Sequence, residues 1–587
     1  MNNYTLNKPE DKKAKLNIFA SLVRLTPLIR AEKHRIVWAS IAILANSALN
    51  LLAPILMGLA IDRYIMNRQF HGVLVYSGIL LGIYLLALIA NYFQTMLMGT
   101  VGQNILFNLR NLLFNKIQTL PIAFFNQNKA GDLISRINND TDKLNQFMSQ
   151  GLVQFVANII TIFGAGLLIV IINWRLGLAA LLPAFALLII TRSLSPWIKN
   201  TNTQSLNKTG SLSAEIAESL ENFKIIVAFN RRDYFRNKFS FANQQNYLNA
   251  LKAGIANNSL TPTYGLAANI ALLIVVAYGV HLIALGQFTL GLMVSYIAYT
   301  NRLYDPLRQM AQIWSSFQTA LAGWDRINNI LTLESNLETL TNTDEPTSQG
   351  VRVEFRNVNF GYTVDANILH DINFQLCPGK TYALVGPTGG GKTTTASLIA
   401  RLYDPTSGEV LLDGRDLRTY SHEERVKKIG FILQDPYLFS GTVGDNLIYG
   451  NDRFDSNETQ KLVDVIKSAK LENLISHFDQ GLETIITTNN NLSLGQKQII
   501  AFVRAVLREP EILILDEATA NIDTVTEGLL GEILDHLPKD TTKIIIAHRL
   551  NTIKNADEIF FVNNGKIKHA GSFENALELL LNDKRNS

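Results

Sequence analysis

The sequence is short of charge, of cysteine and of basic clusters, and each shortage excludes a class of protein. Charged residues make up 17% of the 587 residues, well below the roughly 25% of an average soluble protein. The single cysteine, Cys377, excludes an intrachain disulfide. The net charge of +4 is too small, and the basic residues are too scattered, to indicate a nucleic-acid partner. Residues 1–35 also lack the apolar core and cleavage site of a signal peptide, so we expect the N-terminus to stay in the cytosol.

Long apolar runs are abundant, and they are confined to roughly the first 320 residues. Each run is near or above the roughly 20 residues that a helix needs to cross a bilayer. Buried helices of soluble proteins rarely recur at this length, so the runs predict six membrane spans that return the chain to its starting side. The runs lie near Ile36–Tyr64, Val73–Met98, Gln150–Asn173, Leu176–Trp197, Tyr264–Leu285 and Leu290–Gln312.

The segments between the runs alternate in length and charge, which predicts their sidedness. Short loops with little charge join the spans in pairs, at Met66–Gly72, Asn173–Arg175 and Gly286–Thr289. Within this apolar half, the two long segments between the pairs carry far more lysine and arginine than the short loops do, so the positive-inside rule places them in the cytosol, where they are expected to be helical extensions of the spans. Residues about 14–34 are typical of an amphipathic helix at the inner membrane surface.

Two turns in the long segments, Pro121–Asn126 and Glu221–Phe229, expose aromatic residues. Such residues at a bend favour a docking surface, although local packing within the helical extensions explains them equally well.

Four polar residues lie within the predicted spans, in two pairs one helical turn apart: Asn46 with Asn50, and Asn91 with Gln94. Polar side chains at membrane depth either hydrogen-bond to a neighbouring helix or line a substrate path, and the sequence leaves both interpretations open. No dense row of carboxylates or histidines crosses the spans, so a proton relay or an ion-selective channel is poorly supported.

The segment 386–393 matches the phosphate-binding pattern G-x-x-x-x-G-K-[ST] without a mismatch. An apolar run, Tyr382–Val385, precedes it and predicts a buried strand; a helix-prone run, Thr394–Ala400, follows it. Glycines let several backbone N–H groups face one anion, the lysine reaches the phosphates, and the last threonine can bind Mg²⁺. The sequence therefore predicts a nucleoside triphosphate site formed by Gly386, Pro387, Thr388, Gly389, Gly390, Gly391, Lys392, Thr393 and Thr394.

A second apolar run, Ile512–Leu515, ends in two acids, Asp516 and Glu517. A parallel strand that delivers a carboxylate beside a phosphate loop positions a ligand for Mg²⁺, and Asp516 is that candidate. Glu517 is the candidate general base for the attacking water.

With these motifs in order, the chain resembles a half-transporter of the ATP-binding-cassette exporters over nearly its whole length. Leu492–Gln496 is similar to the family's signature sequence, which the resemblance assigns to nucleotide binding through Ser493, Gly495 and Gln496. The resemblance also assigns Gln434 to sensing Mg²⁺ and water, Asp523 to a loop between two ATP-binding domains, and His548 to contacting the γ-phosphate. Tyr362 lies where the family stacks an aromatic ring on adenine.

The resemblance implies a fold with cofactors and partners. The expected fold is an all-α membrane domain of six helices followed by an α/β nucleotide-binding domain. The expected boundaries are 1–35 for the N-terminal segment, 36–333 for the membrane domain, 334–350 for a linker and 351–587 for the ATP-binding domain. The resemblance also implies two short coupling helices, at Phe124–Arg136 and Glu221–Phe229, and a dimer that clamps two ATP molecules, each with Mg²⁺, between a phosphate loop and the partner's signature. The cargo would be an amphipathic compound or a lipid, moved across a bacterial inner or plasma membrane.

The chain departs from the family pattern in its signature, because Leu494 replaces a glycine. A leucine side chain is expected to crowd the partner's γ-phosphate, whereas Glu517 and His548 are intact. This combination is similar to one subunit of heterodimeric exporters, although a homodimer that tolerates Leu494 stays open. A lipid or lipopeptide flippase, an ATP-gated channel and a non-transporting regulator are the alternative functions.

Overall fold

The computed structural model describes residues 4–6, 30–334, 337, 339–340, 350–363, 366–451, 453–454, 459–468, 471–487, 492–516, 524–546 and 555–586. The chain divides into two compact units. The first unit comprises Pro9–Ile117 and Gly131–Thr332; the second comprises Met1–Lys8, Gln118–Ala130 and Leu333–Ser587. Most of the predicted amphipathic helix at about 14–34 lies outside the described residues.

Eight helices lie between residues 33 and 331, and all but the third belong mainly to the first unit. Their bounds are α1 (Lys33–Ile65), α2 (Phe70–Gln118), α3 (Ile122–Gln127), α4 (Ala130–Ile172), α5 (Trp174–Glu221), α6 (Phe223–Ala228), α7 (Arg232–Ala284) and α8 (Leu290–Leu331). The three short loops predicted between paired spans are confirmed, and the helices continue into the long segments, with a one-residue turn at Ser259 in α7. The two predicted docking turns form the six-residue helices α3 and α6.

Five helices of the described residues, α1, α2, α4, α5 and α7, are long and apolar enough to cross a membrane. The sixth predicted span, Leu290–Gln312, is helical as expected and forms the first part of α8. This span is less apolar than the five helices above, because it contains charged residues. Two of them, Asp305 and Arg308, lie 3.8 Å apart as an ion pair. The sixth span therefore stays a prediction.

Tyrosine hydroxyl groups on α8 form hydrogen bonds to other apolar helices of the first unit. Tyr296 donates a hydrogen bond to the carbonyl oxygen of Ile169 at 3.0 Å, and Tyr304 donates to that of Ala180 at 2.8 Å. Both tyrosines are buried in the core of this unit. Inside a bilayer, a hydrogen bond from a side-chain hydroxyl to a backbone carbonyl of another helix fixes how the two helices face each other. Apolar contacts alone do not fix this orientation.

The amides predicted within the first two spans hydrogen-bond to one another. Asn46 donates to Gln94 at 3.4 Å, which links α1 to α2, and Gln94 donates to Asn91 at 3.2 Å. Asn50 donates to Asn46 at 2.9 Å. Of the two interpretations that the sequence left open, these contacts favour helix–helix bonding.

A buried carboxylate joins α4 to the C-terminal part of α8. Asp140 lies in a π-helical turn of α4 and receives two hydrogen bonds from Arg326, at 2.7 and 2.6 Å, and one from Lys143 at 3.1 Å. Burial alone would raise the pKa of Asp140, but the hydrogen bonds and charges of Arg326 and Lys143 outweigh it and hold the pKa below its ordinary value.

Replacing Asp140 with asparagine is expected to lower the free energy of unfolding by about 1–3 kcal/mol at neutral pH, since Arg326 loses its charged partner. The difference should shrink as the pH falls through the lowered pKa, because protonated Asp140 no longer contributes its charge. Thermal unfolding of the purified chain in detergent measures both effects. Asp142→Asn is the control, because the pair of Asp142 with Arg110 is more exposed. Equal losses in the two variants would contradict the prediction.

The described residues of the second unit form a four-stranded antiparallel sheet, a six-stranded sheet and a small two-stranded antiparallel sheet, together with helices. The strands are β1 (Val353–Phe360), β2 (Leu369–Leu376), β3 (Thr381–Val385), β4 (Ser407–Leu412), β5 (Arg415–Asp416), β6 (Ile429–Ile432), β7 (Gly441–Thr442), β8 (Ile485–Ile486), β9 (Ile512–Asp516), β10 (Thr542–Ile546), β11 (Glu558–Asn563) and β12 (Lys566–Gly571). The helices are α9 (Lys392–Ile399), α10 (His422–Lys428), α11 (Val443–Ile448), α12 (Thr459–Ser468), α13 (Glu472–Ile475), α14 (Leu494–Val506), α15 (Thr524–Asp535) and α16 (Phe573–Asn586).

The six-stranded sheet positions the site. Its order is β12-β11-β3-β10-β9-β6, and all strands but the antiparallel edge strand β12 run parallel. Strands β3 and β9 are buried almost throughout, as expected of parallel strands covered on both faces. Because the strands are parallel, the carboxyl ends of β3, β6, β9 and β10 lie at the same edge of the sheet.

Candidate functional site: a phosphate loop beside a strand-end carboxylate

The predicted phosphate loop connects the central strand β3 to helix α9. The strand ends at Val385, as predicted. The helix begins at Lys392, two residues before the predicted start, so the last two residues of the motif form its first turn. The free N–H groups and positive dipole end of a helix therefore lie within the motif itself, which favours an anion there.

Two loop glycines are required by close packing against strand β11. Gly386 has a φ of 146°, and a Cβ atom on it would lie 2.0 Å from the carbonyl oxygen of Val562. A Cβ atom on Gly390 would lie 2.6 Å from the same oxygen. Since both contacts are with backbone, no side chain can move aside to admit even an alanine.

Replacing Gly390 with alanine is expected to weaken ATP binding by at least about 10-fold, because the new methyl group displaces the loop from Val562. Titration of the purified chain with a fluorescent ATP analogue measures the affinity. Gly531→Ala is the matched control, because Gly531 is exposed on α15 and a Cβ atom there meets no atom within 4 Å. Unchanged affinity in Gly390→Ala would contradict this account of the loop.

Three chemical groups are assembled at the loop. Lys392 is only 5% exposed, and its ammonium group donates to the carbonyl oxygens of Gly386 at 3.0 Å and Pro387 at 2.9 Å. The hydroxyl of Thr393 lies 3.2 Å from a carboxylate oxygen of Asp516, at the end of β9. The sequence prediction that Asp516 is delivered beside the loop is confirmed. A hydroxyl and a carboxylate side by side are the hard oxygen donors that Mg²⁺ takes when phosphate oxygens complete its shell.

Tyr362 lies beside the loop, as the sequence predicts. Its hydroxyl is 3.2 Å from that of Thr394 in the first turn of α9. Its ring packs edge-to-face on Phe360 at 5.0 Å and on Tyr403 at 5.1 Å. These contacts fix the ring at the site, and its stacking on adenine stays a prediction.

Some of the other predicted site residues lie in the described part of the chain, and some lie outside it. Thr388 and Gly389 are exposed at the tip of the loop. Gln434 follows β6 with its side chain exposed, at the same sheet edge as Asp516. Glu517, Asp523 and His548 lie outside the described residues, although Glu517 directly follows β9 and His548 follows β10 by two residues.

Comparisons with known proteins agree with this geometry. The ABC transporter transmembrane region matches residues 36–307, and the ABC transporter domain matches residues 369–520. An uncharacterized ABC transporter ATP-binding protein of Bacillus subtilis, YfiC, is 32% identical over 559 residues, which cover 94% of this chain and 91% of the relative. A fatty acid ABC transporter ATP-binding/permease protein of Mycobacterium tuberculosis is 32% identical, covering 84% and 77%. An ATP-dependent lipid A-core flippase of Syntrophus aciditrophicus is 30% identical, covering 94% and 92%.

The chain belongs to the ABC transporters. It is a half-transporter of the exporter type, with one membrane domain and one ATP-binding domain, and it is an ATPase coupled to transport. Like other members it is a multi-pass membrane protein.

The signature of this ABC transporter begins helix α14. Ser493 caps the helix by accepting a hydrogen bond from the backbone of Gln496 at 3.2 Å, and the Gln496 side chain accepts one from the backbone of Ser493 at 2.9 Å. Gly495 faces Thr526, since a Cβ atom there would lie 3.1 Å from its hydroxyl. Leu494, in the first turn, is 36% exposed, so a side chain is present at the position where the family's glycine exposes only backbone atoms.

One buried side chain near the signature escaped the sequence analysis. Gln498 lies on α14, is almost fully buried, and makes a long contact of 3.5 Å to the carbonyl oxygen of Gln434. It thereby joins the signature helix to the segment that follows β6. The signal that could have found it is a glutamine among the apolar residues of the buried helix face, since a buried amide needs a polar partner.

Proposed function

We propose that this ABC transporter exports amphipathic compounds, using ATP bound at the loop between β3 and α9. The observation that carries the proposal is the convergence of the buried Lys392 with the Thr393–Asp516 pair at one sheet edge. These three groups suit a triphosphate and its cation. Bringing them together without a ligand costs free energy, because a buried ammonium group loses its hydration. A chain that also contains apolar helices of spanning length can convert that chemistry into movement across a membrane.

Each proposed role at the ATP site follows from the chemistry of the side chain. Lys392 would exchange its two carbonyl partners for phosphate oxygens, while Thr393 and Asp516 hold Mg²⁺, which would neutralise charge on the β- and γ-phosphates. Gln434 would position the cation or the attacking water, and Glu517 would take a proton from that water. His548 would contact the γ-phosphate, and Asp523 would lie between two ATP-binding domains.

The proposed orientation puts the ATP-binding domain and N-terminus in the cytosol. It is supported by the lysine and arginine concentrated in the long segments of the sequence, since the positive-inside rule applies to such segments. The membrane would be the plasma membrane, which is the inner membrane in a bacterium with two membranes.

A lipid is the second candidate cargo. It is favoured by the relatives whose names specify a fatty acid and lipid A-core. Reconstituted transporter separates the two cargoes. Lipid export predicts ATP-dependent movement of a fluorescent phospholipid between leaflets, measured by dithionite quenching, whereas export of soluble amphipathic compounds predicts ATP-dependent uptake of a cationic dye. Movement of neither probe under conditions in which ATP is hydrolysed would contradict both.

A heterodimer is the proposed assembly. Leu494 supports it, because its exposed side chain would crowd the γ-phosphate of a partner's ATP. This chain would supply its loop, Asp516, Glu517 and His548 to a competent site and lend its altered signature to a degenerate one. Helix α6 also supports a partner half-transporter, because apolar residues such as Ile225 and Phe229 are exposed on and beside it, 57% and 75% respectively.

Purification of the chain without a second polypeptide tests the assembly. The heterodimer predicts ATP binding with negligible ATP hydrolysis, since the competent site lacks the partner's signature. Robust hydrolysis by the lone chain at all protein concentrations would contradict the heterodimer and support a homodimer. Size-exclusion chromatography with light scattering, in the same detergent, shows which assembly was assayed.

A further inference from the structure

The first described residues of the chain form part of a packed structure within the second unit. Tyr4 is 1% exposed and Leu6 is 9% exposed, whereas Thr5 between them faces solvent. Burial of a tyrosine to this extent is typical of a domain core.

The backbone of this segment is bound by two amide side chains at the C-terminal end of α3. The Tyr4 N–H donates to Gln127 Oε1 at 2.8 Å. Asn128 makes paired bonds, because its Nδ2 donates to the Tyr4 carbonyl oxygen at 2.9 Å and its Oδ1 accepts from the Leu6 N–H at 3.0 Å. Asn128 thus pairs with a backbone carbonyl and a backbone N–H of the same segment. A neighbouring β-strand binds a peptide with the same two kinds of hydrogen bond.

The side chain of Tyr4 links α3 to the chain beyond α8. Its ring packs edge-to-face on Phe124, with centroids 6.5 Å apart and planes at 89°, and Phe124 is fully buried. Its hydroxyl donates to the carbonyl oxygen of Glu334 at 3.0 Å. Two segments 210 positions apart in sequence, at Phe124 and Glu334, are therefore held by one side chain.

Another residue of α3, Asn126, connects this helix to the ATP site. Asn126 donates a hydrogen bond to the hydroxyl of Tyr403 at 2.6 Å. The Tyr403 ring packs on Tyr362, whose hydroxyl contacts that of Thr394 beside the phosphate loop. A continuous series of contacts thus runs from Tyr4 to the first turn of α9.

We propose that residues Tyr4–Leu6 act as an internal peptide ligand, the N-terminal clip, which occupies a groove formed by Phe124, Gln127, Asn128 and Glu334. The clip holds α3 against the ATP-binding unit. In the chain α3 directly joins the long helices α2 and α4, so its attachment determines how closely those helices follow events at the ATP site. This last step rests on the proposed transport function, whereas occupancy of the groove does not.

Hydrogen exchange of residues 122–128, followed by mass spectrometry on the full-length chain, tests the clip. Tyr4→Ala is expected to raise the exchange rate there by at least about 10-fold, since it removes the ring and hydroxyl that retain the segment. Thr5→Ala is the matched control: its exposed hydroxyl donates a long hydrogen bond, of 3.4 Å, to Gln127 Oε1, so the variant should change the rate far less than Tyr4→Ala does. An unaltered rate in Tyr4→Ala would overturn the proposal.

A peptide supplied in trans distinguishes a groove from general loosening of the fold. A synthetic peptide of residues 1–8, added at millimolar concentration to the Tyr4→Ala chain, should restore slow exchange, and the same peptide carrying Tyr4→Ala should not. Failure of the unaltered peptide to restore protection would overturn the ligand interpretation. If Tyr4→Ala does not accumulate, Tyr4→Phe serves instead. It keeps the ring, removes the hydroxyl that bonds to Glu334, and should give a smaller increase in the exchange rate.

The coupling step is tested separately with the assembled transporter. Tyr4→Ala should lower ATP-dependent transport several-fold while leaving the affinity for ATP unchanged, because the clip contacts described above are with α3, Asn128 and Glu334 rather than with Lys392 or Thr393. Faster exchange at 122–128 with unchanged transport would overturn the coupling step alone. Absence of transport in the unsubstituted protein would instead contradict the proposed function, without bearing on the exchange result.

Discussion

Replacing Glu517 with glutamine is expected to reduce ATP hydrolysis by about 100-fold or more and to leave ATP binding intact. Glutamine matches glutamate in size but cannot accept a proton from the attacking water, and general-base catalysis contributes about 10²–10⁴-fold. The residue directly follows β9, one position beyond the carboxylate that lies beside Thr393. Phosphate release by the assembled transporter measures turnover, and binding of a fluorescent ATP analogue measures affinity.

The control for this variant is Glu532→Gln, which makes the same chemical change on the exposed surface of α15. It should hydrolyse ATP at the unsubstituted rate. Turnover of Glu517→Gln within a few-fold of the control would show that another group takes the proton, and the proposed catalytic role of Glu517 would then be wrong.

Replacing Lys392 with alanine is expected to weaken ATP binding by roughly 10- to 100-fold, because charge-assisted hydrogen bonds contribute about 1.5–3 kcal/mol. The ammonium group lies within the phosphate loop, where it donates hydrogen bonds to the carbonyl oxygens of Gly386 and Pro387. It is therefore positioned before the phosphates arrive. Titration with the fluorescent analogue measures the loss, and hydrolysis should fall in parallel.

Lys539→Ala is the matched control, since Lys539 carries the same charge on an exposed part of the same unit. It should bind ATP with unchanged affinity. Equal affinities for the Lys392→Ala and Lys539→Ala chains would mean that the buried ammonium group is structural, and the assignment of this loop to phosphate binding would lose its main support.

Sequence patterns predicted the parts of the structure that depend on neighbouring residues. The strand before Gly386 and the strand ending at Asp516 were identified because buried parallel strands are continuous apolar runs. The loops between paired spans were identified because long apolar runs give way abruptly to polar residues. The start of α9 was missed by two residues, because the motif's own Lys392 and Thr393 carry no signal of where helical geometry begins.

The parts that sequence could not supply depend on contacts between distant residues. Nothing local to Tyr4 indicates that it packs on Phe124, since its neighbours are polar and the two residues are 120 positions apart. The pairing of Asp140 with Arg326 depends likewise on the packing of α4 against α8. The sixth predicted span is helical, but Arg302, Asp305 and Arg308 make it less apolar than the other five, so composition alone does not settle it and it stays a prediction.

The central claim is that ATP hydrolysis in the second unit moves cargo across the membrane through the helices of the first. Inverted membrane vesicles that contain the assembled transporter measure this directly, with a fluorescent amphipathic probe supplied outside. The account predicts uptake that requires hydrolysable ATP and falls to background in the Glu517→Gln variant. Uptake that proceeds equally well in that variant or without ATP, or ATP hydrolysis at full rate with no probe or lipid moved, would contradict it.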